Sequence, residues 1–138
     1  MGQINTILFG GDDTALHIAA LIQPHQDIVL LASTPSPDNL LKVIGQYHPQ
    51  ITLLTAAPNL PNVVPLISRL STETPHKKCI VLAEQFEFRN IRASIAAGAM
   101  GYLALDERLP YLDVAIRLVH SGKATFAPEV MEMLRASY

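Results

Sequence analysis

The chain has no tryptophan, a single cysteine, four tyrosines and four phenylalanines, and no surplus of positive charge. Each scarcity removes a class of function. One thiol, Cys79, excludes an intrachain disulfide and fits a reducing compartment. Its setting in Cys79-Ile80-Val81-Leu82 reads as a buried structural thiol rather than a nucleophile or metal ligand. Ten Lys and Arg against twelve Asp and Glu leave a formal charge of −2, so the basic stripe that backbone-driven nucleic-acid binding requires is missing. Apolar runs break off well short of the ~20 residues a membrane helix needs, and no basic segment leads into an apolar signal core. A cytoplasmic protein without a membrane partner is expected. The histidines at 17, 25, 48, 76 and 120 form no i, i+4 pair suited to zinc. No serine sits between glycines on a strand-to-helix elbow, and no nucleophile pairs with a base, so no enzymatic activity is expected.

What is present is an alternation. The chain is 138 residues long, one ordinary domain with one core. Short β-like runs at 4–9, 27–32, 51–56, 78–83 and 101–105 are each followed by turn residues and a helical pattern, which makes five β-α units. The first helix is expected to start at Asp13, as its cap, and to stop at Pro24. Ser36-Pro37 opens the second, which ends before Pro49. The third lies within 62–70 and the fourth within 86–97, closed by Gly98 in the left-handed conformation, as Gly122 closes the fifth. Runs such as Ile51-Thr52-Leu53-Leu54 are apolar on both faces, which predicts a parallel, doubly wound α/β sheet covered by helices on both sides. The expected division is one domain over 1–124, with 125–138 a short C-terminal helix or the start of a linker to a further domain.

The chemistry-bearing feature is the acid pair Asp12-Asp13, reached through Gly10-Gly11 from the end of the first strand. Ligands of open parallel α/β sheets collect outside the carboxyl ends of the strands, so adjacent aspartates there suggest a Mg²⁺ or phosphoryl-transfer site. The glycines alone say little, since neither G-x-G-x-x-G spacing nor a P-loop lysine accompanies them.

The five β-α units, this acid pair, AAGAMGYL at 96–103, AIRLVHSG at 115–122 and APEV at 127–130 together resemble the receiver domain of bacterial response regulators of the NarL/FixJ type. The resemblance covers residues 4–130 and implies a flavodoxin-like, CheY-like sheet of five parallel strands in the order 2-1-3-4-5. It also implies where the phosphorylation chemistry would lie. The acceptor aspartate at the end of the third strand is replaced by Thr55, the hydroxyl residue after the fourth by Ala83, and the lysine after the fifth by Leu105. Only Asp12 and Asp13 remain, with Tyr102 at the aromatic position that couples site to output. A threonine hydroxyl without a base cannot replace a carboxylate nucleophile, and two carboxylates without a third compensate poorly for dehydrating Mg²⁺. The implied protein is a pseudo-receiver with no cofactor, or weak Mg²⁺ at Asp12 and Asp13 at most.

The resemblance further implies action through a protein partner or a homodimer, with DNA reached only through a helix-turn-helix domain outside this chain. The expected interface is the face of the fourth helix, fifth strand and fifth helix: Arg89, Arg92, Asp106, Glu107, Arg108, Asp113 and Arg117, with Phe88, Tyr111 and Leu112 as apolar anchors. Mixed charge suits a two-fold contact in which basic meets acidic. An alternative is a small-molecule sensor using the strand-end crevice left by Ala57, Ala83 and Leu105.

Overall fold

The computed structural model describes residues 2–73, 78–106 and 109–137. Its elements are β1 (Ile4–Phe9), α1 (Asp12–Ile22), β2 (Ile28–Thr34), α2 (Pro37–Tyr47), β3 (Ile51–Ala56), α3 (Val64–Glu73), β4 (Lys78–Ala83), α4 (Phe88–Ala97), β5 (Gly101–Ala104), a 3₁₀ turn (Leu109–Tyr111), α5 (Leu112–His120), β6 (Thr125–Phe126) and α6 (Pro128–Ala136). All neighbouring strands pair in parallel, in the order β2-β1-β3-β4-β5-β6.

The expectation of five strands is corrected by β6. Two residues long, it sets Thr125 beside Gly101 and Phe126 beside Tyr102. So short a strand shows no alternation for a sequence reading to detect. Three boundaries shift as well, one of them at the end of α3, which runs to Glu73 rather than lying within 62–70. β2 begins at Ile28 and runs on to Thr34, with an irregularity opposite Thr6 and Ile7. β5 ends at Ala104, although the Leu105 N–H still donates to the Ala83 carbonyl at 2.8 Å.

Strand alternation divides the core between two layers. Ile7, Phe9, Leu54, Val81 and Tyr102 pack beneath α2, α3 and α4, joined by Leu40, Ile67 and Ile91. Leu8, Ile51, Leu53, Ile80 and Leu82 face the other way, onto Ile18 and Ile22 of α1 and Ile116 and Val119 of α5. Ala127 and Val130 of the C-terminal segment enter the first layer, and Met133 and Leu134 pack against it.

Local signals explain most helix ends. The Ser36 hydroxyl accepts from the Asn39 N–H at 3.3 Å, with Pro37 in the first turn of α2. α2 ends at His48 in the left-handed region, φ 49°, just before Pro49. Gly98 closes α4 at φ 121°, and a Cβ there would also lie 2.2 Å from the Ser71 hydroxyl, which donates to the Ala97 carbonyl. The expectation for α1 is corrected: Gly11 is its cap, and Asp12 and Asp13 occupy the first turn without a side-chain capping bond. Two carboxylates there still interact favourably with the positive end of the helix dipole.

Candidate functional site

β2 and β3 flank β1, so the chain winds in opposite directions from it and a crevice opens beyond the ends of β1 and β3. This crevice, about 650 Å³, is lined by Asp12, Asp13, Thr55, Ala57, Glu84 and Leu105 among others. The structure thus brings the acid pair together with Thr55 and Leu105, as expected. It does not bring Ala83 into the lining: that residue is 1% exposed, in the layer beneath. With three carboxylates at its walls, the crevice is not the apolar pocket expected from Ala57, Ala83 and Leu105.

The side chains of the crevice differ sharply in access. Asp12 and Asp13 face solvent, whereas Thr55 is 2% exposed and its hydroxyl has no hydrogen-bond partner. Close packing holds it there, since a Cβ on Gly10 would fall 2.7 Å from Thr55 Oγ1. No lysine or arginine is among the described lining residues. Mg²⁺ does not fit the side chains: among the described residues no three His, Cys, Asp or Glu converge as a metal-binding group. Cys79 is buried, and burial pushes its thiol up to about 12, which removes it as a nucleophile.

Tyr102 lies on the other side of the β4–β5 strand ends. It is 1% exposed, with its ring centroid 5.8 Å from that of Phe86 at an interplanar angle of 54°. Burial raises its phenol above the usual value, and the Glu87 charge adds to the effect, so Tyr102 is a hydrogen-bond donor at neutral pH.

The residues expected to form one interface separate into two groups. On α4, Arg89 and Arg92 are exposed, and the Arg92 guanidinium stacks 5.7 Å from the Phe88 ring centroid. Tyr111 is 74% exposed, whereas Leu112 at 1% is a core residue of the α1/α5 layer and not a surface anchor. Asp113 and Arg117 turn towards the α1–β2 loop. Arg117 donates to Asp27 at 2.7 and 3.0 Å and to Asp113 at 2.6 Å, with His25 Nδ1 at 3.2 Å from its Nη2. Its hydrogen bond to Arg117 lowers the Asp27 carboxyl, while Asp27 and then Asp113 raise the guanidinium. Asp106 is exposed; Glu107 and Arg108 lie outside the described residues.

Two features escaped the sequence reading. Asp113 and Arg117 have the i, i+4 spacing of a helical ion pair, but Asp27 stands 90 residues from Arg117 and only the fold joins them. The second is a cavity between the β3–α3 loop and α4, with Ser94 and Tyr102 in its lining. No local signal marks a mid-helix serine as such.

No family model matches the chain, and no curated protein resembles it in sequence. Its fold is that of response-regulator receiver domains. A two-component response regulator of the LuxR family from Aurantimonas sp. SI85-9A1 superposes with a TM-score of 0.88 at 12% identity, covering 99% of this chain and 98% of that one. The RcsB response regulator of Salmonella typhimurium, in a structure concerned with DNA interaction, gives 0.85 at 14%, covering 98% and 68%. The signal receiver domain of the response regulator NarL from Mycobacterium tuberculosis gives 0.77 at 13%, covering 89% and 100%. Among the described residues no helix is long and apolar enough to cross a membrane.

Proposed function

We propose that this domain is a pseudo-receiver: a response-regulator receiver of two-component signalling that works by phosphorylation-independent protein recognition. The observation that carries this reading is Thr55. At the end of β3, where the resemblance expects the phosphoacceptor carboxylate, stands a hydroxyl 2% exposed and packed against Gly10. Attack on a phosphoryl donor needs an activated, accessible nucleophile, and Thr55 has neither a base partner nor access. Ala83 brings no hydroxyl to the neighbouring strand end, and Leu105 no cation. A phosphoryl group there would meet the Asp12 and Asp13 carboxylates without compensation.

Tyr102 is buried against Phe86, and in this reading the helical faces around it are presented constitutively. The α4 surface with Phe88, Arg89 and Arg92 is the face assigned to a protein partner or a second copy. Asp113 and Arg117 hold α5 to the α1–β2 loop instead.

Intact-mass measurement after incubation with acetyl phosphate and Mg²⁺ tests the first half of the reading. No phosphoryl adduct is expected, and an adduct mapped to this chain would overturn it. Sedimentation with Arg92→Glu tests the second. A self-association that this change leaves untouched would remove the α4 face.

A further inference from the structure

The cavity beside α4 is separate from the strand-end crevice, with only Ala57 and Leu60 lining both. Its volume, about 310 Å³, lies at the small end of the range for organic ligands. Ser94 and Tyr102, each 1% exposed, contribute its most deeply buried polar groups. Serines within helices commonly donate to a carbonyl of the preceding turn, yet the Ser94 hydroxyl is buried with no partner. Thr52, Thr55 and Thr125 share that state, and at Ser94 it leaves a hydroxyl with unused bonding capacity in the lining of a cavity.

The rest of the lining says what kind of occupant. Pro58, Pro61 and Val64 form an apolar wall from the β3–α3 loop and the start of α3. Opposite, Asn90 on α4 donates to the Glu87 carboxylate at 3.3 Å, which sets an acceptor at the cavity's exposed side. Among the described lining residues Glu87 is the only charged one, and no lysine, arginine or histidine contributes. Phosphates and carboxylates would therefore meet repulsion there, and N–H donors attraction.

We propose that this cavity binds a small amine or amide with an apolar body, its N–H groups towards Glu87 and Asn90 and its apolar part on the proline wall. Ser94 and Tyr102 complete the polar contacts from within. The site is independent of the phosphorylation chemistry, because none of Asp12, Asp13, Thr55 and Leu105 lines it. Occupancy bears on the C-terminal helix through a short path: the Tyr102 carbonyl accepts from the Ala127 N–H at 2.9 Å, and Ala127 is the cap residue of α6.

The test is an NMR titration of the full chain with benzylamine, benzamide and benzoate, three probes that share a ring and differ in head-group charge. Saturable amide shifts centred on Asn90, Ser94 and Tyr102 are expected with the first two and not with benzoate. Ser94→Ala, which removes only an unpartnered hydroxyl and should fold, is expected to weaken both about tenfold, the loss of roughly one hydrogen bond. Tyr102→Phe provides a second variant that keeps the packing. Glu87→Gln should abolish the preference for benzylamine over benzamide. Benzoate binding as well as benzylamine, shifts centred on Thr55 instead, no saturable binding by any probe, or wild-type affinity in both Ser94→Ala and Tyr102→Phe would each overturn the proposal.

Discussion

The strand-end crevice and the cavity beside α4 meet along Ala57 and Leu60; both keep their carboxylates in water, and they differ in the buried hydroxyls, Thr55 in one and Ser94 with Tyr102 in the other. In the crevice the charges are solvated and the hydroxyl is packed away: Asp12 and Asp13 face water, and Thr55 is buried against Gly10. In the cavity the carboxylate of Glu87 stays exposed while Ser94 and Tyr102 are buried in the lining. Exposed charges lose little when their partners disappear, because water screens and solvates them. A buried hydroxyl has no such refuge. The acid pair can thus persist without function, whereas the buried hydroxyls of Thr55 and Ser94 each leave bonding capacity unused.

Tyr102→Ala is the largest way to break this contrast, since it opens the cavity into the core. A loss of about 3–5 kcal/mol in urea unfolding is expected, against less than about 1 kcal/mol for Tyr102→Phe. Near-equal costs would place the value of Tyr102 in its hydroxyl rather than its ring. Gly10→Ala acts on the crevice. Its methyl would meet Thr55 Oγ1 at 2.7 Å, an overpacking expected to cost about 1–3 kcal/mol. In the double variant Gly10→Ala, Thr55→Ala the two effects should be less than additive, because one residue makes the room the other lacks. Thr55→Val removes the partnerless hydroxyl at nearly constant shape, and a change between zero and a gain of about 1 kcal/mol is expected in the same assay.

A smaller effect separates the two sites from the ion cluster on α5. Arg117 holds the Asp27 carboxyl below its ordinary value of 3.8, so Asp27 binds protons less readily in the folded chain than in the unfolded one. The stability this pair contributes is complete above 3.8 and is lost as pH falls through the depressed folded value. Arg117→Gln should flatten that acid limb of the melting curve and leave the stability difference between wild type and Thr55→Val unchanged. An unaltered acid limb would mean that the Asp27–Arg117 pair is energetically idle. The smallest expected change is Asp12→Asn, within about 0.5 kcal/mol by urea unfolding. A larger loss would give the acid pair a structural role that its exposure does not suggest.

Much of this architecture was legible from short-range pattern. Strands with apolar residues on both faces announced a helix-covered parallel sheet, and Ser36-Pro37 and Gly98 marked their helix ends because capping chemistry is local. α1 defied that logic: Asp13 is a good cap by type, but the turn through Gly10-Gly11 puts the cap two residues earlier, at Gly11. β6 was invisible because two residues carry no period. At the candidate site, side-chain type was readable at Thr55, Ala83 and Leu105, while access was not. The resemblance groups Leu112, Asp113 and Arg117 with α4 on one face. Rotation of α5 sends Leu112 into the core and Arg117 to Asp27.

By itself, then, the sequence determined the alternating α/β plan, the location of the acid pair at a strand end, and the residue types Thr55, Ala83 and Leu105 at the three positions where the resemblance expects polar groups. Those properties reside in residue type and near-neighbour order. Only the tertiary structure decided that Thr55 is buried, that Ala83 lies beneath the crevice rather than in its wall, that Asp27 meets Arg117, and that Ser94 and Tyr102 line one cavity. Each of these joins residues from separate elements, and burial and partnership in such cases follow from helix rotation and sheet register, which packing of the whole core sets at once.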